Sequence, residues 1–88
     1  MIKKVHIIGL GLMGTNLGIK LVEKGILVSG TDILDKNIAR AKEYGALNSE
    51  FDSEDNYDLT ILSMPINEII SFFDNDFSLI KTKLIIDL

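Results

Sequence analysis

Three glycines, Gly9, Gly11 and Gly14, break an apolar run in the stretch VHIIGLGLMG, with bulky Leu and Met side chains between them. Eighteen residues after Gly14 stands an acid, Asp32. Glycines at this spacing let a backbone turn sharply and bring its N–H groups close to an anionic group. A carboxylate at the tip of the following strand can accept hydrogen bonds from sugar hydroxyls. A strand before the glycines and a helix after them complete the GxGxxG fingerprint of dinucleotide binding. In that reading Gly9 permits the turn, Gly11 lets a pyrophosphate approach the backbone, and Gly14 lets the helix lie tight on the sheet. Gly18 would extend that last contact by one turn. The free N–H groups and positive dipole end at Leu12, Met13 and Gly14 would face the phosphates.

Asp32 would accept both hydroxyls of the adenosine ribose and repel a 2′-phosphate, which makes NAD the expected cofactor over NADP. Lys36 and Arg40 downstream leave some room for NADP. Asp32 could instead cap the next helix, although Asp35 is better placed for that. Ser63, Met64 and Pro65 close a later strand on the far side of the sheet's switch point, where a nicotinamide-side ribose would pass. His6, the single histidine, lies inside the first strand, so a packed, hydrogen-bonded core role is expected and no catalytic residue is assigned.

The elements that must hold these residues follow from hydrophobic period. Ile2 to Ile8 reads as a buried strand. From Met13 the period becomes helical, with Leu17 and Leu21 inward and Gly25 as the stop. Ile26 to Thr31 is a second strand, and Asp35 to Tyr44 a second helix with Ile38 and Ala41 inward and Gly45 after it. Ala46 to Ser49 is expected as a short third strand and Tyr57 to Ser63 as a buried fourth. Ile66 to Phe73 is a third helix opening behind Pro65, Phe77 to Ile80 another helical turn, and Leu84 to Leu88 the last strand. Such alternation gives an α/β, Rossmann-like three-layer fold, a parallel sheet of about five strands in order 3-2-1-4-5.

At 88 residues, 47% of them hydrophobic, the chain fits one domain with a real core. The net charge of −4 is uneven: residues 1–44 hold seven Lys/Arg against four Asp/Glu, residues 45–88 two against nine. An acidic chain without a basic stripe argues against nucleic acid as a partner. The acids Glu50, Asp52, Glu54, Asp55 and Asp58 read as a solvated loop, and no metal site is expected. With no apolar run of membrane-spanning length and no cysteine, a cytoplasmic protein is expected.

The run from Val5 to Ala46, with YDLTILSMPINEII and LIIDL, resembles the N-terminal part of prephenate dehydrogenase. The shared features are GLGLxG, a long helix ending in KG, the aspartate at the second strand tip, the D-x-x-x-L-x-x-P pattern of Asp58 to Pro65, and a strand closing in Asp87. The resemblance implies NAD-dependent oxidative decarboxylation of prephenate to 4-hydroxyphenylpyruvate, a step to tyrosine. Gly9, Gly11, Leu12, Met13, Asp32, Ser63, Met64 and Pro65 would be the cofactor residues. In that family the catalytic histidine, the substrate-binding arginines and the dimer-forming helical domain come after the strand that here ends at Leu88. The chain is therefore expected to be a truncated dinucleotide-binding domain, inactive alone, with an open sheet edge that invites a homo-oligomer. The 3-hydroxyacid dehydrogenases share GLGxMG and the early fold, and stand as the alternative. A regulatory dinucleotide sensor like those of potassium-uptake systems, and a structural fragment without ligand, are readings from other classes.

Overall fold

A computed structural model of the chain describes residues 1–63, 81–82 and 85–87. The apolar run after the lysines forms strand β1 (Lys4–Ile8), buried from Val5 onward. Helix α1 (Leu12–Glu23) follows the glycine turn, then strand β2 (Leu27–Thr31) and helix α2 (Asp35–Glu43). Two short strands, β3 (Asn56–Tyr57) and β4 (Leu59–Leu62), come next, with β5 (Lys81–Thr82) and β6 (Ile85–Asp87) near the end. The third helix expected over Ile66 to Phe73 and the turn at Phe77 to Ile80 lie outside the described residues.

Strand β1 is central. It pairs in parallel with β2 on one side and β4 on the other, and β6 pairs in parallel with β4, giving the order β2-β1-β4-β6. Right-handed crossovers put α1 and α2 on the same face. There Leu17, Leu21 and Ile38 pack against a core of Val5, Ile7, Leu10, Val28, Ala41, Ala46, Leu59 and Ile61. Full burial of each larger aliphatic side chain contributes roughly 1.5–3 kcal/mol. Both helices stop in the same way. The N–H groups of Gly25 and Ile26 donate to the carbonyls of Val22 and Leu21, and those of Gly45 and Ala46 to Lys42 and Ala41. This pair of hydrogen bonds requires the left-handed conformation that Gly25 and Gly45 adopt, at φ 82° and 79°.

Two expectations need correction. Ala46 to Ser49 is not a strand. Its place beside β2 is filled by Asn48, whose side-chain oxygen accepts from the Val28 N–H at 2.6 Å and whose amide donates to the Ile26 carbonyl at 3.0 Å. The N–H groups of Asn48 and Ser49 both donate to the Val28 carbonyl at 3.0 Å. One side chain thus takes positions that a ladder would occupy, and the Val28 backbone groups at the edge of β2 are satisfied without a strand. The fourth strand is interrupted at Asp58, which divides β3 from β4. Its N–H donates to the Lys4 carbonyl at 2.9 Å, and its carboxylate accepts from the N–H groups of Lys3 and Lys4 at 2.9 and 3.0 Å, pinning the start of β1. Strand β3 pairs instead with β5.

The second face of the sheet carries a polar layer. His6, Ser29 and Thr60 lie in register across β1, β2 and β4, all buried. Phe51 and Tyr57 pack on His6, with ring centroids 4.4 and 5.5 Å away. The acidic segment is thereby anchored by aromatics, and Lys4 pairs with Asp55 at 3.0 Å. Among the described residues no helix is long and apolar enough to cross a membrane, and no group of His, Cys, Asp and Glu is arranged to hold a metal ion.

Candidate dinucleotide site

The carboxyl ends of β2, β1 and β4 lie side by side. The Gly9 N–H donates to the Thr31 carbonyl at 2.9 Å and the Ser63 N–H to the Ile8 carbonyl at 2.8 Å, so Asp32, Gly9 and Ser63 leave the sheet as neighbours. The chain crosses from β1 to β2 on one side of this edge and reaches β4 on the other, which makes it the topological switch point.

Gly9 turns out of β1 with φ 100°, a conformation that a side chain would strain. At Gly14 a Cβ would be driven into the Gly9 carbonyl oxygen and would also press on Ile7. The helix therefore sits on the turn itself. Gly18 does a different job from the one expected. A Cβ there would come 2.5 Å from the Ala46 carbonyl oxygen, so it faces the segment after α2 rather than the sheet. At Gly11 a Cβ would meet nothing within 4 Å, and the residue projects toward open space. Gly11 is also the N-cap of α1, with no side-chain cap bond. The first intrahelical bond runs from the Thr15 N–H to the Gly11 carbonyl at 3.0 Å, leaving the N–H groups of the first turn for another acceptor. Leu12 and Met13 at that turn are 79% and 64% exposed.

Asp32 is fixed before any ligand arrives. One carboxylate oxygen, Oδ2, accepts from the Leu10 N–H at 2.6 Å, and the other, Oδ1, accepts from the Leu34 N–H at 2.9 Å and the Asn37 side-chain amide at 3.2 Å. A carboxylate offers about four lone-pair directions. Among the described residues three are taken, leaving one on Oδ2. Asp32 in this state can accept a single ribose hydroxyl, and two only if the Asn37 amide gives way. Asp35 does not cap α2, because the N-cap is Leu34 without a side-chain bond and Asp35 falls in the first turn.

Arg40 points back to the glycine turn. Its Nη2 donates to the Leu10 carbonyl at 3.3 Å and to the Asn37 side-chain oxygen at 3.1 Å, and the Thr15 hydroxyl donates to the same Leu10 carbonyl at 3.1 Å. Arg40 thus edges a groove of about 350 Å³ between α1 and α2, lined also by Gly11, Leu12, Thr15, Asn16 and Tyr44. Sequence reasoning did not reach Thr15, Asn37 or the Leu10 peptide. The available signal was position: Thr15 follows the third glycine, on the side of α1 that Gly14 and Gly18 already mark as buried.

The structure therefore gathers Gly9, Gly11, Leu12, Met13, Asp32 and Ser63 at one edge. Met64 and Pro65 lie outside the described residues. His6 is well back from that edge, with Nδ1 2.7 Å from the Ser29 hydroxyl and Nε2 3.2 Å from the Thr31 hydroxyl. Burial lowers its pKa from 6.5 to about 4, because the cationic form loses hydration that these two hydroxyls do not replace. It is a neutral, packed histidine, as expected.

The sequence matches the family of the NAD binding domain of 6-phosphogluconate dehydrogenase over residues 4–72. The chain belongs to this family. Comparison with curated proteins finds no match. The matched span of this NAD-binding domain contains the glycine turn, Asp32 and the end of β4. Membership places the chain among Rossmann domains of oxidoreductases. The match is to the 6-phosphogluconate dehydrogenase type and does not by itself show the prephenate dehydrogenases that the Asp58 to Pro65 pattern resembles.

Proposed function

We propose that the chain is the cofactor-holding domain of a dehydrogenase of the 3-hydroxyacid type and that its cofactor is NAD. The observation that carries this reading is the contact between Asp32 and the glycine turn at the switch point, beside a helix N-terminus that no side chain caps. The pyrophosphate would lie over Gly11, Leu12 and Met13, where the missing Cβ leaves room and no side chain among the described residues caps the first-turn N–H groups. The adenosine ribose would give one hydroxyl to the free lone pair of Asp32 Oδ2. The exposed side chains of Ile33 and Leu34, just past β2, supply apolar surface for the adenine. Ser63, Met64 and Pro65 would border the nicotinamide side. When bound, the cofactor supplies a ring that accepts hydride from a hydroxyl-bearing carbon of a small-molecule substrate. The residues described here bind and orient it.

The preference for NAD rests on charge. A 2′-phosphate would sit against the Asp32 carboxylate, in a site where the Oδ1 donors already hold that carboxylate in place. Calorimetric titration with NAD and NADP tests this, beside Asp32→Asn. The wild type should favour NAD. Asp32→Asn should lose about ten- to a hundredfold in NAD affinity, as expected for a hydrogen bond to a charged acceptor, and the gap to NADP should close. Equal affinity of the wild type for both, or an unchanged ratio in the variant, contradicts the reading. A second reading, oxidation of prephenate, is favoured by the pattern from Asp58 to Pro65 and by β6 closing in Asp87. Turnover of prephenate with NAD by the protein that carries this domain would decide for it, and turnover of a 3-hydroxyacid instead would decide against it.

A further inference from the structure

Resting on the reading of the glycine turn as a pyrophosphate site, we propose that Thr15 and Arg40 are positioning residues that lock the Leu10–Gly11 peptide with its N–H outward. In a trans peptide the carbonyl of one residue and the N–H of the next point in opposite directions. The Leu10 carbonyl is held on the protein side by the buried Thr15 hydroxyl at 3.1 Å and by Arg40 Nη2 at 3.3 Å. The Gly11 N–H consequently faces away from them, at a residue where an added Cβ would meet nothing within 4 Å. The lock has a purpose because the peptide leads into a glycine, whose φ meets little steric resistance to rotation. A turned peptide would present a carbonyl oxygen to the phosphates in place of a donor.

The grip is part of a closed ring. The Leu10 N–H donates to Asp32, the Asn37 amide donates to Asp32, Arg40 donates to Asn37, and Arg40 donates to the Leu10 carbonyl. The residue that would meet the ribose and the peptide that would meet the phosphate are therefore held by one set of bonds. In this arrangement Arg40 Nη2 is committed to the turn and to Asn37. It serves the dinucleotide through the Leu10 carbonyl, not as a ligand of a 2′-phosphate.

The test uses Arg40→Ala, Arg40→Gln and Thr15→Val, titrated with NAD, NADP and adenosine. Losing one donor to the carbonyl should weaken NAD and NADP alike by about tenfold, and adenosine, which has no phosphate and whose ribose meets an Asp32 still held by the Leu10 and Leu34 N–H groups, by clearly less. Arg40→Gln, which keeps a donor without the charge, should recover most of the loss. In the ligand-free chain the Gly11 amide resonance should move in Arg40→Ala and Thr15→Val and return toward its wild-type position in Arg40→Gln. Loss confined to NADP would make Arg40 a 2′-phosphate ligand and overturn the proposal. Equal loss on adenosine would reduce both residues to structural supports and overturn it too. A wild type that binds no NAD overturns the dinucleotide reading itself, whereas NAD affinity untouched in all three variants overturns this inference alone.

Discussion

Gly11 and Gly14 stand three residues apart in one motif, yet adding a methyl group to each should have opposite consequences. At Gly11 the backbone, at φ −73° and ψ −158°, lies in a region open to any L-residue, and the new Cβ would meet nothing within 4 Å. Gly11→Ala should lose roughly 0.5–1 kcal/mol of N-cap preference. It should recover about 0.4–1 kcal/mol from the smaller entropy of the unfolded chain. The two nearly cancel, so Tm should stay within about 4 °C of the wild type. The methyl group would nonetheless stand where the pyrophosphate must approach. NAD binding should fall by about ten- to a hundredfold, the worth of a charge-assisted bond to the turn. At Gly14 the Cβ would collide with the Gly9 carbonyl oxygen, which is backbone and cannot rotate aside as a side chain could. Gly14→Ala should therefore cost about 1–3 kcal/mol, or on the order of 5–20 °C in Tm. Calorimetric unfolding and NAD titration of both variants separate the two effects. A Gly11→Ala chain that unfolds as early as Gly14→Ala, or that binds NAD as well as the wild type, would refute the division of roles between the two glycines.

Asn48→Ala removes one acceptor and one donor from the edge of β2, leaving the Val28 N–H unpaired; it should cost about 1–3 kcal/mol in denaturant unfolding, and Asn48→Asp, which keeps the acceptor, should cost less. Asp58→Ala should fray the start of β1, seen as faster amide exchange at Lys3 and Lys4 with little change at Ile7. His6 gives a pH dependence of definite sign. Its folded pKa of about 4 lies below the unfolded 6.5, so the unfolded chain binds more protons between those values and stability falls as pH drops through that window. The full effect is on the order of 3 kcal/mol, and His6→Gln should flatten the fall, as measured by urea unfolding at pH 7 and pH 4.5.

Much of this arrangement could be read from residue order. The glycines and Asp32 meet at one edge because parallel strands are joined by right-handed crossovers, so spacing alone foretold their neighbourhood, though not the bond from the Leu10 N–H to Asp32. Helix ends were legible for the same reason, since Gly25 and Gly45 adopt a conformation that few other residues tolerate. The misreadings arose where a side chain replaces a backbone partner. Asn48 imitates a ladder and Asp58 interrupts one, and neither signals itself in a hydrophobic pattern. Gly18 was misplaced because the segment it faces becomes its neighbour only through the tertiary fold. The ring through Asn37 and Arg40 was hidden likewise, because it joins a helix, a strand tip and a turn that periodicity treats as separate.

The central claim, that the turn and Asp32 together hold a dinucleotide, is tested most directly by following backbone amide resonances of the chain during titration with NAD. The account predicts saturable shifts concentrated at Gly9, Gly11, Leu12, Met13 and Gly14 and at Asp32 to Leu34, with little movement at the far ends of α1 and α2. A folded chain whose resonances stay still at millimolar NAD, or whose shifts gather away from this edge, would contradict it.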